Sequence, residues 1–105
     1  MKLNNYIVVS TLCNNKKIAD KIVKGLLKKR LVVGCQVYEC DSTYFWRRDI
    51  EAQHEYLIQA RSRESLYPQI EEEIKKLHDY EVCEISYYVI NGGSKEFFDW
   101  IDDEI

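Results

Sequence analysis

Residues 76–85 read Lys-Leu-His-Asp-Tyr-Glu-Val-Cys-Glu-Ile, and the hydrophobic period of the chain changes within them. After Tyr80 the period is two, and residues 82–90 are rich in branched and aromatic side chains, which predicts a strand. The connection contains no glycine or proline, yet it carries a histidine, a tyrosine, two glutamates and a cysteine. This concentration of polar side chains makes it the first candidate for a functional site. On the N-terminal side of this connection, apolar residues recur every three or four positions and predict one face of a helix: Leu66, Ile70, Ile74 and Leu77.

The N-terminal part of the chain predicts a strand followed by a helix. Residues 6–12 have the composition of a strand, and either Asn14 or Asn15 is expected to cap the helix that follows. Gly25 lies inside this helix, where we expect it to allow a close approach to the sheet. The apolar stripe that defines the helix consists of Ile18, Ala19, Ile22, Val23, Leu26 and Leu27.

The remaining elements are two strands, the helix and strand already described, and a final helix. Residues 31–40 predict a second strand that residues 42–48 continue, and a tight turn at residues 47–49 leads into a third strand over residues 50–61. After the fourth strand, Ser94 is expected to cap a short helix that carries Phe97, Phe98, Trp100 and Ile101.

The predicted order is β-α-β-β-α-β with a C-terminal helix, which is the ferredoxin-like arrangement of the α+β class. Right-handed crossovers place the two inner helices on one face of an antiparallel sheet of four strands, with strand one between strands three and four. We expect a single domain over residues 1–105. Apolar residues occupy both faces of the strands, and eight tyrosines suit an interface. The face without helices is therefore expected to contact another protein surface.

Composition favours a globular protein of the cytoplasm. Hydrophobic residues make up 46% and charged residues 31% of the chain, and no apolar run is long enough to span a membrane. There is no secretory pattern, and the four cysteines form no CxxC pair, so reduced thiols are expected. The net charge of −3 argues against nucleic acid as a partner, because phosphate backbones select basic surfaces.

Three stretches of the chain form recognisable motifs: Ser-Thr-Tyr-Phe-Trp at 42–46, Leu-His-Asp-Tyr-Glu-Val-Cys-Glu-Ile at 77–85 and Asp-Trp-Ile-Asp at 99–102. They resemble the motifs of the CutA divalent-cation-tolerance family, and the resemblance continues in order over nearly the whole chain. It implies a ferredoxin-like fold, a homotrimer, binding of copper and other divalent ions, and a role in metal tolerance without an enzymatic reaction. It also implies an architecture like that of the PII signalling proteins.

The sequence departs from the family pattern at four positions. The family commonly has glycine at Arg48, lysine at Arg61, and proline at Asp79 and Cys83. Without glycine, Arg48 or Asp49 is expected to adopt a left-handed conformation. We expect the fold and the trimer to tolerate these changes, whereas the ligand preference is left open.

The predicted topology and the resemblance together suggest a metal site. The end of strand one (Cys13) should lie near the starts of strands three (His54) and four (Cys83), and His78 should reach the same edge of the sheet. Thiols and imidazoles suit copper or zinc. We treat His78 as a surface ligand whose removal opens no core cavity. The predicted ligands are Cys13, His78, Cys35 and Cys83, with Glu81 orienting His78.

Alternative roles remain open for these residues. Cys35 and Cys40 also suit small buried apolar positions, His54 suits a plain surface position, and His78 suits a helix cap. From the resemblance we expect a cleft between subunits, and the residues predicted for it are Tyr44, Trp46, Arg61, Tyr80, Glu81, Glu84 and Trp100.

Two other function classes share the predicted topology. A small ferredoxin-like hydrolase acting on a phosphorylated or anionic molecule needs a glycine-rich phosphate loop with an arginine. Arg61 and Arg63 are present without such a loop. An RNA-recognition domain needs exposed aromatic residues in a signature on the central strands, which is missing from this acidic chain. The sequence therefore favours the non-enzymatic reading, with the hydrolase as the alternative.

Overall fold

The computed structural model of the protein describes residues 5–105, so the first four residues of the predicted domain lie outside the described part. The elements are β1 (Tyr6–Cys13), α1 (Lys16–Lys28), β2 (Gly34–Trp46), β3 (Asp49–Arg63), α2 (Tyr67–Leu77), β4 (Ile85–Val89) and α3 (Lys95–Glu104). A 3₁₀ turn, Glu64–Leu66, precedes α2. The strands form a sheet in the order β2-β3-β1-β4 with antiparallel pairing between all neighbours, as predicted.

The core lies between the sheet and the helices α1 and α2. Register explains which side chains face it: Val9 of β1 lies opposite Ala60 of β3 and Tyr87 of β4, and all three share the helix-covered face. Every second residue of a strand thus faces the helices and packs against the apolar stripes predicted for them. The fully buried side chains of this core include Ile7, Val9, Cys13, Ala19, Ile22, Leu26, Ile58, Ala60, Ile70 and Ile74.

The second face of the sheet is only partly apolar, which corrects the sequence-based expectation. Helix α3 covers one end of this face, where the Tyr6 ring stacks on Phe98 at 4.4 Å between centroids. Ile101 of the same helix is fully buried. Across the middle of the face, Ser10 lies between Gln59 and Ser86, which makes a polar row. The large exposed apolar side chains therefore lie mostly elsewhere.

Polar caps fix the helix starts as predicted. The Asn15 side chain accepts hydrogen bonds from the backbone N–H groups of Lys17 (2.7 Å) and Ile18 (3.3 Å). The Ser94 hydroxyl accepts one from the N–H of Phe97 at 3.2 Å. These acceptors satisfy donors that the first turn of a helix leaves unpaired. Of the two asparagines considered for α1, Asn15 is the cap.

Gly25 faces α2 and not the sheet, so the predicted close approach was assigned to the wrong neighbour. A Cβ atom at this position would lie 2.8 Å from Leu77 Cδ1 and 2.9 Å from Glu73 Oε2. The carboxylate of Glu73, which is 6% exposed, accepts a hydrogen bond from Lys29 Nζ at 2.7 Å. That bond is the main reason why the pKa of Glu73 is lowered. Gly25 thus lets the two helices approach closely beside an ion pair whose carboxylate is buried.

The starts of β2 and β4 each lie three residues later than predicted. Strand β2 begins at Gly34 and not at residue 31, because Leu31 closes the end of α1 through a bond from its N–H to the carbonyl of Leu26. Strand β4 begins at Ile85 and not at residue 82, because Ile85, which pairs with Thr11, is its first residue with a partner on β1. Residues 78–84 therefore leave the sheet, and we call them the connector.

The β2–β3 hairpin extends past the rest of the sheet. Pairing between β1 and β3 ends at Cys13 and Tyr56, so residues 40–55 continue as a ribbon of two strands, which we call the hairpin arm. Its turn is formed by Arg47 and Arg48, with φ of 51° and 75°. A left-handed conformation was expected at Arg48 or Asp49. The structure places it at Arg48 and at its neighbour Arg47, as a two-residue hairpin turn requires.

Replacing Arg30 by glycine is expected to stabilise the protein by about 0.5–1 kcal/mol. Arg30 has a φ of 55° just past the end of α1, and its N–H bonds the carbonyl of Leu27 in a helix-ending motif that favours glycine. The lost contacts with Glu104 are an ion pair at 3.9 Å and a hydrogen bond from Nη1 to its backbone carbonyl at 2.7 Å, and both are exposed and contribute little. Chemical denaturation measures the gain. Arg30→Ala removes the same ion pair but keeps the strain, and equal stability of the two variants would contradict the explanation.

Candidate binding cleft

A cleft of about 740 Å³ separates the hairpin arm from the connector. It opens on the face of the sheet that α1 and α2 leave free, beside the end of β1. Both walls come from stretches that carry the motifs singled out in the sequence. Its lining consists of Leu12, Ser42, Thr43, Tyr44, Phe45, Trp46, Glu51, Gln53, Glu55, Tyr80, Glu81, Val82 and Glu84.

His78 attaches the connector to the end of β1. Its side chain is 1% exposed, and its Nε2–H donates to the carbonyl of Leu12 at 2.6 Å. Its Nδ1 accepts a hydrogen bond from the N–H of Tyr80 at 3.1 Å. Because a carbonyl only accepts and a backbone N–H only donates, these bonds define the neutral tautomer with the proton on Nε2. Both nitrogens are thus engaged with backbone, and His78 is a buried side chain rather than a surface one.

Tyr80 forms a hydrogen bond with a buried carboxylate in the wall of the cleft. Its hydroxyl donates to Glu55 Oε2 at 2.8 Å, and Glu55 is 3% exposed. Burial, followed by the bond to Glu55, raises the pKa of Tyr80. Sequence reasoning missed Glu55, although its position opposite Cys40 on the face of β3 turned toward the cleft follows from strand alternation once the register is known.

Arg47 contacts two lining residues of the cleft, Trp46 and Glu81. Its guanidinium carbon lies 5.2 Å from the centre of the Trp46 ring. Its Nη2 donates to Glu81 Oε1 at 3.1 Å, so Glu81 pairs with Arg47 and does not orient His78 as predicted. The arginine and glutamate side chains of this pair are 70% and 69% exposed, which makes it a weak pair.

Five of the seven residues predicted for a cleft between subunits line this cleft within one chain: Tyr44, Trp46, Tyr80, Glu81 and Glu84. The other two lie elsewhere. Arg61 donates to Gln36 on the sheet surface. Trp100 lies on α3 and lines a second cavity of about 530 Å³ with residues at the end of α1.

The four predicted metal ligands do not converge within the chain. Cys13 is fully buried in the core, and burial raises the pKa of its thiol. Cys35 lies opposite Ala60, four positions along β3 from the partner of Cys13, and burial raises its pKa to about 11. Cys83 lies half-buried on the connector. Over residues 5–105, no group of three or more histidine, cysteine, aspartate or glutamate side chains is arranged to hold a metal ion. Their roles as ligands stay predictions.

His54 lies on the hairpin arm, two residues beyond Tyr56, which pairs with Cys13. Its Nε2 bonds Glu39 at 2.9 Å and its Nδ1 bonds Asp41 at 3.1 Å. Its ring also meets the Tyr56 ring edge-on at 5.8 Å. His54 thus bonds carboxylates of β2, whereas both ring nitrogens of His78 bond backbone groups, so the two imidazoles do not present free nitrogens to one site.

His54 is expected to titrate above pH 6.5. Both carboxylates can accept from the ring only when it is protonated, and the bond to Glu39, then that to Asp41, raises its pKa. A raised pKa stabilises the folded state below the unfolded value near 6.5, and this contribution is lost as pH rises through the folded pKa. An NMR titration of the ring measures it. In Glu39→Gln the midpoint should fall toward 6.5, and an unchanged midpoint would contradict the assignment.

With the fold and the cleft defined, comparison with known proteins becomes informative. Residues 7–104 match the family described as CutA1 divalent ion tolerance protein. The chain belongs to this family. One relative is a divalent-cation tolerance protein from Pyrococcus horikoshii. It is 32% identical over 93% of this chain and 96% of its own.

Solved CutA1 structures have the same fold. The structure from Pyrococcus horikoshii has a TM-score of 0.88 at 31% identity and covers 93% of this chain and 96% of its own. The one from Thermus thermophilus has a TM-score of 0.91 at 27% identity and covers 94% and 97%. A protein from Archaeoglobus fulgidus, described as a periplasmic divalent cation tolerance protein, has a TM-score of 0.87 at 29% identity and covers 97% and 98%.

Proposed function

We propose that this CutA1 protein acts in tolerance of divalent metal ions as a non-enzymatic homotrimer, binding divalent cations such as copper or zinc or transmitting a signal at clefts between subunits. Membership of the family supports the role in metal tolerance. The trimer, the metal and the PII-like mode of action are the parts that the proposal adds.

The hairpin arm carries the proposal of assembly. Phe45 and Ile50 face each other across the arm and are 74% and 70% exposed. A ribbon of two strands has little stability by itself, and it needs an apolar surface to pack against. The outer edges of β2 and β4 are also unpaired within residues 5–105, and open edges are sites where strands of another chain add. An assembly that covers the arm meets both requirements.

Assembly also supplies what a complete metal site needs. One chain brings fewer than three donors together over the described residues, so we propose that neighbouring subunits complete the ligand set. Among the predicted ligands, Cys83 on the connector is half-buried and lies beside the cleft. Cys13, Cys35 and His78 would contribute only after leaving their present surroundings. A thiolate or neutral imidazole is required, so binding should weaken as pH falls below about 6.5.

The charge of the cleft argues against the hydrolase. A phosphorylated or anionic substrate needs cationic or N–H groups around it. The cleft instead presents the carboxylates of Glu51, Glu55, Glu81 and Glu84. This is why a reaction on an anionic molecule is not proposed.

The location proposed is the cytoplasm, because all four cysteines are free. No helix within residues 5–105 is long and apolar enough to cross a bilayer. Thiol labelling of intact cells against lysed cells would test the proposal, and labelling without lysis would contradict it.

Light scattering with and without copper is the experiment that tests the proposed function. The mass should be about three times that of the 12.5 kDa chain at low micromolar concentration. Calorimetric titration with copper should then show binding. A monomer that binds no copper would overturn the proposal.

Two cysteine variants identify the contribution of the connector. Cys83→Ser should weaken copper binding, whereas Cys40→Ser, which removes a thiol from β2, should leave it unchanged. Equal copper affinity in both variants would remove Cys83 from the ligand set.

A further inference from the structure

The cleft combines negative charge with aromatic surface. Its lining includes four glutamates and, in the part of the chain that the structure describes, no lysine, arginine or histidine. Tyr44, Trp46 and Tyr80 add ring faces to the same walls. Carboxylates together with aromatic faces form the surroundings that organic cations prefer, because both attract positive charge.

The protein already places a cation against two lining residues of this cleft. The guanidinium of Arg47 lies over the Trp46 ring and bonds Glu81. Arg47 is exposed and sits in a turn, so this contact with Glu81 is easily displaced. Trp46 and Glu81 thus form a pair of side chains that attracts a guanidinium group of the chain itself.

The inner end of the cleft holds a carboxylate without a cationic partner. Glu55 is 3% exposed and accepts a hydrogen bond from Tyr80, yet no lysine, arginine or histidine nitrogen within residues 5–105 lies within ion-pair distance of it. A buried carboxylate is unfavourable unless a positive charge compensates it. An incoming cation that reaches Glu55 would supply that charge.

The size of the cleft and its donors favour an organic cation over a bare metal ion. Clefts for small organic molecules have volumes of about 300–1,000 Å³, and this one has about 740 Å³. Its carboxylates do not form a group arranged to coordinate a metal, as noted for the described residues. Charge in this cleft is spread along its length rather than focused at a point.

We propose that the cleft binds a small organic cation carrying ammonium or guanidinium groups. Glu55 is its inner anionic contact, Trp46 and Glu81 are its outer contacts, and Arg47 is the group that it displaces. The inference uses the same cleft as the proposed function but does not depend on copper binding.

Calorimetric titration of the full-length protein with agmatine, which has a guanidinium at one end and an ammonium at the other, tests the proposal. Saturable binding should be seen at low salt and should weaken as salt is added. The uncharged 1,4-butanediol should not bind. No agmatine binding at millimolar concentration, or equal binding of the diol, would overturn the proposal.

Four variants locate the bound cation. Glu55→Gln keeps the shape of the side chain and should weaken agmatine binding at least about tenfold, since it removes a buried charge. Glu84→Gln changes an exposed lining residue, leaves the fold intact and should weaken binding severalfold. Arg47→Ala removes the competing guanidinium and should tighten binding about two- to fivefold. Glu72→Gln, on the exposed side of α2, is the matched control and should bind as the parent does.

Several outcomes would contradict the placement. Equal affinities of the Glu55→Gln, Glu84→Gln and Glu72→Gln variants would show binding by overall charge alone, and weaker binding in Arg47→Ala would show that Arg47 does not compete. Copper titration of the same variants separates the two proposals. Loss of agmatine binding with copper binding retained supports the cation site, while failure of agmatine binding in the parent overturns it and leaves metal tolerance untouched.

Discussion

His78→Ala is expected to lower the free energy of unfolding by about 2–4 kcal/mol. The ring is almost completely buried, so its removal leaves a cavity. It also leaves the carbonyl of Leu12 and the N–H of Tyr80 without their hydrogen-bond partner. Chemical denaturation at pH 7 measures the loss. The sequence alone suggests a surface ligand whose removal opens no cavity, and the burial of the ring corrects that view.

The chain provides a matched control for this substitution. His54 is the other histidine, and its side chain is 53% exposed. His54→Ala should therefore change stability much less than His78→Ala. Equal losses in the two variants would show that the bonds between the connector and β1 contribute nothing. The connector should also become more open to proteolysis in His78→Ala alone, because His78 attaches it to the sheet.

The double variant Phe45→Glu, Ile50→Glu is expected to reduce the mass in solution from about three chains to one. These side chains face each other on the hairpin arm and are exposed in the single chain, so they add little to its own fold. In an assembly that covers the arm, two adjacent carboxylates would be buried without partners, which is strongly unfavourable. Light scattering measures the mass, and circular dichroism shows whether the fold is kept.

Leu27→Glu is the control for the double variant. Leu27 is an exposed apolar residue on α1, distant in the fold from the arm, and its exposed fraction is 42%. Its replacement should leave the mass unchanged. A trimeric double variant would show that the arm does not carry the interface, and a trimer lost equally in both variants would show that added charge alone is responsible.

Local patterns predicted much of the fold. Asn15 and Ser94 could be recognised as caps because their side chains are short acceptors placed directly before apolar stripes. The position of β1 between β3 and β4 followed from the handedness of crossovers. Strand ends were less accurate, because they depend on pairing with a neighbouring strand that local patterns do not reveal. Val82 has a strand composition but no partner on β1.

The candidate site was predicted less completely than the fold. The connector stands out by composition, and Tyr80 and Glu81 indeed line the cleft. Glu55 could not be singled out, because it is one of several acids on a long strand and its burial depends on where Tyr80 comes to lie. Gly25 was assigned to the wrong neighbour because a glycine reports a close approach and not the identity of what approaches. The burial of Glu55 and the neighbour of Gly25 both depend on packing between segments that are distant in the sequence.

The hairpin arm has a genetic consequence. Over residues 40–55 it leaves the rest of its own sheet, and residues 5–105 span 44 Å along their longest axis. In the proposed trimer, each arm packs on a neighbour, so a substitution there acts on the stability of another subunit. One altered copy would then weaken assemblies that also contain two normal chains. Arm variants should therefore behave as dominant when they are expressed together with the parent, whereas core variants, which unfold before they assemble, should behave as recessive.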